Sequence, residues 1–294
     1  MNNKLHPHQK EELADLAVAA MRERGLEPEF PKPAIEQLKT IDGPSAEDGA
    51  GIVDMTGLLW CSIDNDDSRD LDQLTASEVL PDGSVRILVA IADVDTVVEK
   101  ETPIDRHAQI NTTSVYTSAR IFPMLPEKLS TDFTSLNPHE ERVATVTEMV
   151  FAPDGEMLRS HITRARVHNK AKLAYDAVAA WIDGHGPLPE AADRVPGMDE
   201  QIRTQDSVAQ QLRARRREHG ALEFETFQPR AEFQGDQVVA IKQQVQNRAR
   251  QLIEEFMVAT NGVTARFLAG KKRASIRRVV KSPERWARIA EVAA

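Results

Sequence analysis

The segment 64–72 contains five aspartates in nine residues, and Arg69 is the one cation among them. Crowded carboxylates raise one another's pKa or bind a cation, and hard divalent ions such as Mg²⁺ prefer oxygen ligands of this kind. Asp70 and Asp72 are two residues apart, so in an extended segment they project from one face, which Asp64 can approach across the loop. One or two Mg²⁺ ions held there would activate a water and stabilise the charge on a phosphate during hydrolysis. The segment therefore predicts metal-dependent phosphate chemistry.

Two other interpretations of the acidic segment have to be weighed. A calcium loop fits at its first, third and fifth positions with Asp64, Asp66 and Ser68. It fails at the sixth position, where Arg69 replaces glycine, and at the twelfth, where Thr75 replaces glutamate. Spacing therefore argues against an EF-hand, whereas charge alone leaves a solvated acidic turn open.

Composition limits the class of protein. The chain has 294 residues, 41% of them hydrophobic, which is enough for a substantial core in one or two domains. It has no apolar run of the length that spans a bilayer, and its N-terminus has no apolar segment after Lys4, so we expect a soluble protein without a secretory signal or membrane partner. Cys61 is the single cysteine, which excludes an internal disulfide framework and suits a core residue in a cytoplasmic protein.

The charge is distributed unevenly along the chain. Residues 203–288 contain 18 Lys or Arg against 9 Asp or Glu, a net charge of +9. The remainder therefore carries −18, because the whole chain carries −9. A phosphate polymer would bind along the basic part and be cut at the acidic part. The basic run 213–217 is equally typical of the solvated face of a helix.

The order of predicted elements favours an α+β domain, because most strands precede the long helices. Strands are predicted at 58–64, 85–94, 145–152, 157–167, 230–233 and 237–242. Helices are predicted at 8–24, 171–182, 198–218 and 249–269. A tight turn, Pro153-Asp154-Gly155, joins the third and fourth strands, and the acidic segment lies between strands of one sheet.

Several blocks, in the same order along the chain, resemble the RNB catalytic domain of the ribonuclease II and ribonuclease R family. Its signature is similar to Ser-Ile-Asp at 62–64 followed by Asp-Leu-Asp at 70–72. Further similar blocks lie at 89–94, 114–116, 122–130, 172–175, 221–224 and 252–261. The resemblance implies a mixed, mainly antiparallel sheet packed by helices and incomplete at its C-terminal end. It divides the chain into an N-terminal helix and connector at 1–51 and a partial RNB domain at 52–294.

The resemblance also implies roles for the aspartates. Asp64, Asp70 and Asp72 match residues that bind Mg²⁺ and orient the attacking water, and Asp72 matches the one most critical for cleavage. Mn²⁺ would also suit an oxygen-only site. The family motif ends in a fourth aspartate, and Gln73 occupies that position here. Its amide adds no charge toward a second metal ion, so we expect a carbonyl ligand or a weaker metal site.

Substrate contacts are implied in the same way. Tyr116 and Phe224 match aromatics that sandwich the 3′-terminal bases, which would set how short a product can still be cut. Tyr175 and Glu254 match residues that contact the RNA near that terminus. Stacking on aromatic rings tolerates any base, as a degradative enzyme requires.

The C-terminal end departs from the family pattern. After a block at 276–279 the chain stops at Ala294, whereas family members continue to a segment that supplies an arginine to the scissile phosphate. Arg277 and Arg278 match a different, earlier block. We therefore expect exposed apolar surface at this end, covered by a partner polypeptide or by the missing segment.

The resulting hypothesis is a Mg²⁺-dependent 3′→5′ exoribonuclease that acts on single-stranded RNA and releases nucleoside 5′-monophosphates. The alternative is an RNA-binding fragment that has lost turnover through Gln73 and truncation. A phosphohydrolase of small molecules would use the same aspartates but leaves the basic half of the chain unexplained.

Overall fold

A computed structural model describes residues 9–46, 49, 51–221, 229–243, 245–276 and 285–293. The helices are α1 Gln9–Glu23, α2 Lys32–Leu38, α3 Pro103–Asn111, α4 Tyr175–Ile182, α5 Glu190–Asp193, α6 Met198–Glu218, α7 Arg248–Gly270 and α8 Trp286–Ala293. The strands are β1 Ile52–Asp54, β2 Cys61–Asp64, β3 Gln73–Val79, β4 Val85–Ala92, β5 Val115–Tyr116, β6 Ile121–Phe122, β7 Glu141–Phe151, β8 Met157–His168, β9 Ala171–Ala174, β10 Pro229–Gln234 and β11 Gln237–Gln243. No helix of these residues is long and apolar enough to cross a membrane.

Seven strands form one sheet in the order β1-β8-β7-β4-β3-β2-β9. The four inner pairings are antiparallel, and the two outer pairings, β1 with β8 and β2 with β9, are parallel. The predicted mixed, mainly antiparallel α+β fold is therefore confirmed. The predicted hairpin joins β7 to β8, and Gly155 takes the positive φ of 81° that its tight turn requires.

Both faces of the sheet are buried at its centre, because residues alternate between two apolar clusters along each strand. In β4, Ile87 and Val89 join the cluster beneath α4, α6 and α7, while Leu88 and Ala90 join the cluster on the opposite face. Cys61 lies in the first cluster as a core residue, as predicted. The centre of the sheet is thus packed on both faces, so the ends of its strands can fix side chains in place.

Strand β3 was not predicted, because its buried face carries polar residues. Leu74 points into one apolar cluster, but Thr75 and Ser77 face helix α6. Thr75 Oγ1 donates to Gln205 Oε1 at 2.8 Å, and Ser77 N donates to Gln201 Oε1 at 3.0 Å. These bonds give Thr75 Oγ1 and Ser77 N their partners, so a strand forms where the apolar alternation is weak.

The helix predicted at 171–182 is wrong in its first four residues. These residues form β9, which pairs in parallel with β2, and helix α4 begins only at Tyr175. Ala171 and Leu173 are buried two residues apart, which is the spacing of a strand, but a run of four residues is too short for this period to be recognised in the sequence. The strand predicted at 58–64 is likewise shorter, because β2 begins at Cys61.

The long helices predicted at 198–218 and 249–269 are present as α6 and α7. Asn247 caps α7 by accepting a hydrogen bond from Arg250 N at 3.0 Å. Arg248 then donates to both carboxylate oxygens of Asp206 on α6, at 2.8 and 2.7 Å. This bidentate pair fixes the start of α7 against the neighbouring helix.

Several apolar side chains of the C-terminal described residues are exposed, as are others along the chain. At the C-terminal end the exposed side chains are Phe267, Ile276, Trp286, Ile289 and Val292. Their coverage by a partner polypeptide stays a prediction.

Candidate active site

The acidic loop joins the ends of β2 and β3 and is fixed by backbone contacts. Ser135 is buried, and its Oγ accepts a hydrogen bond from Leu71 N at 3.0 Å and donates to Arg69 O at 3.1 Å. Leu136 N donates to Leu71 O at 2.8 Å, and Ala92 N donates to Asp72 O at 3.0 Å. These bonds determine where the loop places its carboxylates.

The Ser135→Ala variant is expected to destabilise the fold by about 1–3 kcal/mol, because it leaves a buried backbone N–H without an acceptor. Thermal melts or urea titration would measure the loss. Ser160→Ala is the matched control, since Ser160 is exposed on β8 and should change stability by less than about 0.5 kcal/mol. Equal stability of the two variants would show that Ser135 does not hold the loop.

Three carboxylates of the loop act on one another electrostatically. The pKa of Asp72 is raised to about 6 by burial and then by the negative charges of Asp64 and Asp70. The pKa of Asp64 is also raised, chiefly by burial, and the positive charge of Arg250 opposes the shift. Asp72 is open to solvent in a groove, yet the protein around that groove removes part of its hydration. The three predicted aspartates therefore line one groove, where Asp72 lies within electrostatic reach of the other two.

Tyr116 lies on the wall of this groove. Its hydroxyl donates a short hydrogen bond to Asp70 Oδ2, and the side chain is 61% exposed. Burial of the hydroxyl and its bond to Asp70 raise the pKa of Tyr116, so it stays protonated and keeps donating. The exposed ring is free of the apolar core and faces solvent where a base can stack.

Tyr175 lies at the floor of the groove, where β9 passes into α4. Its ring is half-buried, and the guanidinium carbon of Arg250 lies 4.4 Å from the ring centroid. Burial and the charge of Asp64 raise the pKa of Tyr175 to about 12. Its hydroxyl is therefore a neutral donor beside the carboxylates.

Glu254 was predicted to contact the RNA, but the structure places it away from the groove. Glu254 is exposed on α7, where its carboxylate accepts a hydrogen bond from Gln246 Nε2 at 3.0 Å and lies 3.9 Å from Arg216 Nη2. It is not among the described residues that line the groove. Phe224 lies outside the described residues. The RNA contacts of both stay predictions.

The side chain of Gln73 has a structural role, because it joins two strands of the sheet. Its side chain is 5% exposed, and its Nε2 donates to Ile63 O at 3.0 Å. Within the described part of the chain its Oε1 has no hydrogen-bond partner. The amide thus ties β3 to β2 at the base of the acidic loop.

The donor set fits a hard divalent cation. Among the described residues no three His, Cys, Asp or Glu side chains are close enough together to hold a metal ion. Mg²⁺, however, is usually bound by one or two carboxylates together with waters and substrate phosphates. Asp64 and Asp72 both have raised pKa values, so a cation between them would relieve an unfavourable charge.

Three features of the groove were missed by sequence reasoning. The hairpin β10–β11 forms part of its wall and is fixed to the rim where Ala231 N donates to Ser118 Oγ at 3.0 Å. Asn65 and Arg250 line its floor and are joined by a hydrogen bond of 2.8 Å. Arg250 precedes Glu254 by one helical turn, but Glu254 does not line the groove, so this spacing gave no signal for Arg250.

Known proteins share both sequence and fold with this chain. The RNB domain family matches residues 52–292. Ribonuclease R of Escherichia coli is 34% identical over 235 residues, which cover 80% of this chain and 28% of that protein. Ribonuclease R of Vibrio parahaemolyticus is 30% identical over 266 residues, 90% of this chain and 32% of the relative. The chain thus spans about a third of the length of these curated relatives.

A solved structure agrees with the sequence matches. Mycoplasma genitalium RNase R, solved in complex with ribose methylated single-stranded RNA, has a TM-score of 0.82 to this chain at 25% identity. The alignment covers 92% of this chain and 42% of that one. The fold of this chain is therefore similar to part of a protein that was solved with RNA bound.

Proposed function

Because the chain belongs to the RNB domain family, we propose that it forms part of a metal-dependent 3′→5′ exoribonuclease. Its substrate is single-stranded RNA, and its products are nucleoside 5′-monophosphates. One observation carries the proposal: a single groove contains the coupled carboxylates Asp64 and Asp72 and the exposed ring of Tyr116. Phosphate chemistry needs the first and sequence-independent base binding needs the second.

The residues of the groove have different roles in the proposed reaction. Asp64 and Asp72 would hold the Mg²⁺ or Mn²⁺ ion, which when bound supplies a polarised water and positive charge at the scissile phosphate. Tyr116 fixes the Asp70 carboxylate through its hydroxyl and offers its ring to the terminal base. The groove presents the last phosphodiester to the carboxylates, so attack there releases the terminal nucleotide with its 5′-phosphate and leaves a new 3′-hydroxyl.

The test is incubation of the purified chain with a 5′-labelled single-stranded RNA in Mg²⁺ or in EDTA. We expect stepwise shortening to a short limit product in Mg²⁺ and none in EDTA. A circular form of the same RNA is the matched control, because it has no 3′ end and must stay intact. Cleavage of the circle would indicate an endonuclease, and degradation of a DNA of the same sequence would contradict specificity for the 2′-hydroxyl.

A non-catalytic RNA-binding role is the second candidate, and Gln73 is the observation that favours it. Its amide bonds to Ile63 O and adds no negative charge beside Asp72. Binding of the linear RNA without shortening in Mg²⁺ or Mn²⁺ would select this role.

A further inference from the structure

Arg250 is held at the floor of the groove by long-range packing. It lies in the first turn of α7, which Arg248 fixes to Asp206 of α6. Together with Asp64 and Asp72 it lines the groove. Its positive charge opposes part of the rise in the pKa values of Asp64 and Tyr175, so the guanidinium lies within electrostatic reach of both side chains.

Two contacts set the orientation of this guanidinium. Its Nη2 donates to Asn65 Oδ1 at 2.8 Å, and its carbon lies 4.4 Å from the centroid of the Tyr175 ring. An amide acceptor and an aromatic face both leave the group positively charged. A guanidinium has five N–H donors in a planar fork, so it can hold several acceptors at once.

Two other cations that line the groove, Arg69 and Lys242, form ion pairs with exposed glutamates. Arg69 forms an ion pair with Glu127 at 3.2 Å, and Lys242 forms one with Glu232 at 2.6 Å. Arg250 differs in position, because it lies beside the carboxylates on which the chemistry depends. A phosphate that approaches Asp64 and Asp72 is repelled by their charge, and a cation at this place offsets that repulsion.

We propose that Arg250 binds a backbone phosphate of the RNA at its reacting 3′ end, with Asn65 and Tyr175 as the groups that position it. This inference rests on the proposed function and adds a substrate-binding residue to that site. A planar fork matches two phosphate oxygens, so the contact would orient the phosphodiester as well as attract it.

The first test measures binding of a 5′-fluorescein-labelled single-stranded RNA in EDTA, where no cleavage occurs, at a series of salt concentrations. For Arg250→Gln we expect affinity to fall about tenfold or more, as for loss of one charged hydrogen bond. The slope of log K against log salt should also decrease in magnitude by about 0.7, the value for one phosphate contact on a single strand. Arg250→Lys should keep the slope and lose part of the affinity, because it keeps the charge without the fork.

The matched control is Arg266→Gln, the same change on the same helix, at a residue whose described contact is Met157. It should leave affinity and slope unchanged. Thermal melts of every variant check that it is folded. If Arg250→Gln does not fold, the loss of affinity in Arg250→Lys tests the proposal instead.

The second test locates the phosphate. A methylphosphonate placed at one linkage after another near the 3′ end removes the charge of that phosphate alone. We expect Arg250→Gln to lower the affinity for each of these RNAs except one. The exception is the RNA whose methylphosphonate lies at the linkage that Arg250 contacts. An unchanged affinity and slope in Arg250→Gln, or an equal penalty at every linkage, would overturn the proposal. Binding that obeys these expectations without shortening in Mg²⁺ would instead refute the exonuclease and leave the Arg250 contact standing.

Discussion

The Asp72→Asn variant is expected to lose hydrolysis by roughly 10²–10³-fold or more while it keeps its RNA affinity. Asparagine matches aspartate in shape but cannot supply the charge that holds a cation at the phosphate. RNA binding should persist, because Tyr116 and the cations of the groove are unchanged. Binding should even strengthen in EDTA, since one charge that repels phosphate has been removed.

Single-turnover cleavage of the 5′-labelled RNA, with binding measured on the same samples, checks this expectation. Asp66→Asn is the matched control, because Asp66 is an exposed carboxylate of the same loop. It should retain most of the rate, since its charge is not among those that shift the pKa of Asp72. Similar losses in both variants would mean that the loop acts through its total charge, as a solvated acidic turn would.

Local signals in the sequence were sufficient for part of the fold. The hairpin turn before Gly155 and the whole of α6 are determined by turn chemistry and periodicity, which act within a few residues. Strand β3 was not predictable in this way, because Thr75 is buried by a hydrogen bond to Gln205, 130 residues further along the chain. Burial of a polar side chain depends on a partner that no local window contains.

The same distinction between local signals and tertiary packing applies to the candidate site. Crowding of Asp64, Asp70 and Asp72 within one loop predicted metal-dependent phosphate chemistry from composition and spacing alone, and that chemistry stays a prediction. Their individual roles came from a family resemblance, which said nothing of Arg250 and Asn65. Those two are 185 residues apart and meet only because α7 packs against the sheet beside the acidic loop. Spacing can therefore suggest which groups react, but tertiary packing decides which groups orient them.

The raised pKa of Asp72 predicts an acid limb in the pH–rate profile when Mg²⁺ is limiting, that is, a fall in the rate of RNA shortening at low pH. The carboxylate must be ionised to hold the cation, and its pKa is about 6 in the metal-free fold. The rate of RNA shortening should therefore fall about tenfold per pH unit below about pH 6 and level off above about pH 7. More Mg²⁺ should move the limb to lower pH, because the cation competes with the proton. A limb that does not respond to Mg²⁺ would assign it to another group.

The raised pKa of Asp72 also makes the stability of the fold depend on pH. Ionisation of Asp72, which the reaction needs, lowers that stability. Since the folded pKa lies above the ordinary value of 3.8, the stability that protonated Asp72 contributes is present below about pH 4 and is lost as pH rises through about 6. In EDTA, Asp72→Asn should melt at the same temperature as the parent chain near pH 4 and above it near pH 8. Solvent in the groove screens the effect, so we expect a difference of only about 2 °C. Mg²⁺ should stabilise the parent chain but not Asp72→Asn, and so remove the difference in melting temperature. That result would show that the Asp72 carboxylate both weakens the metal-free fold and binds the cation.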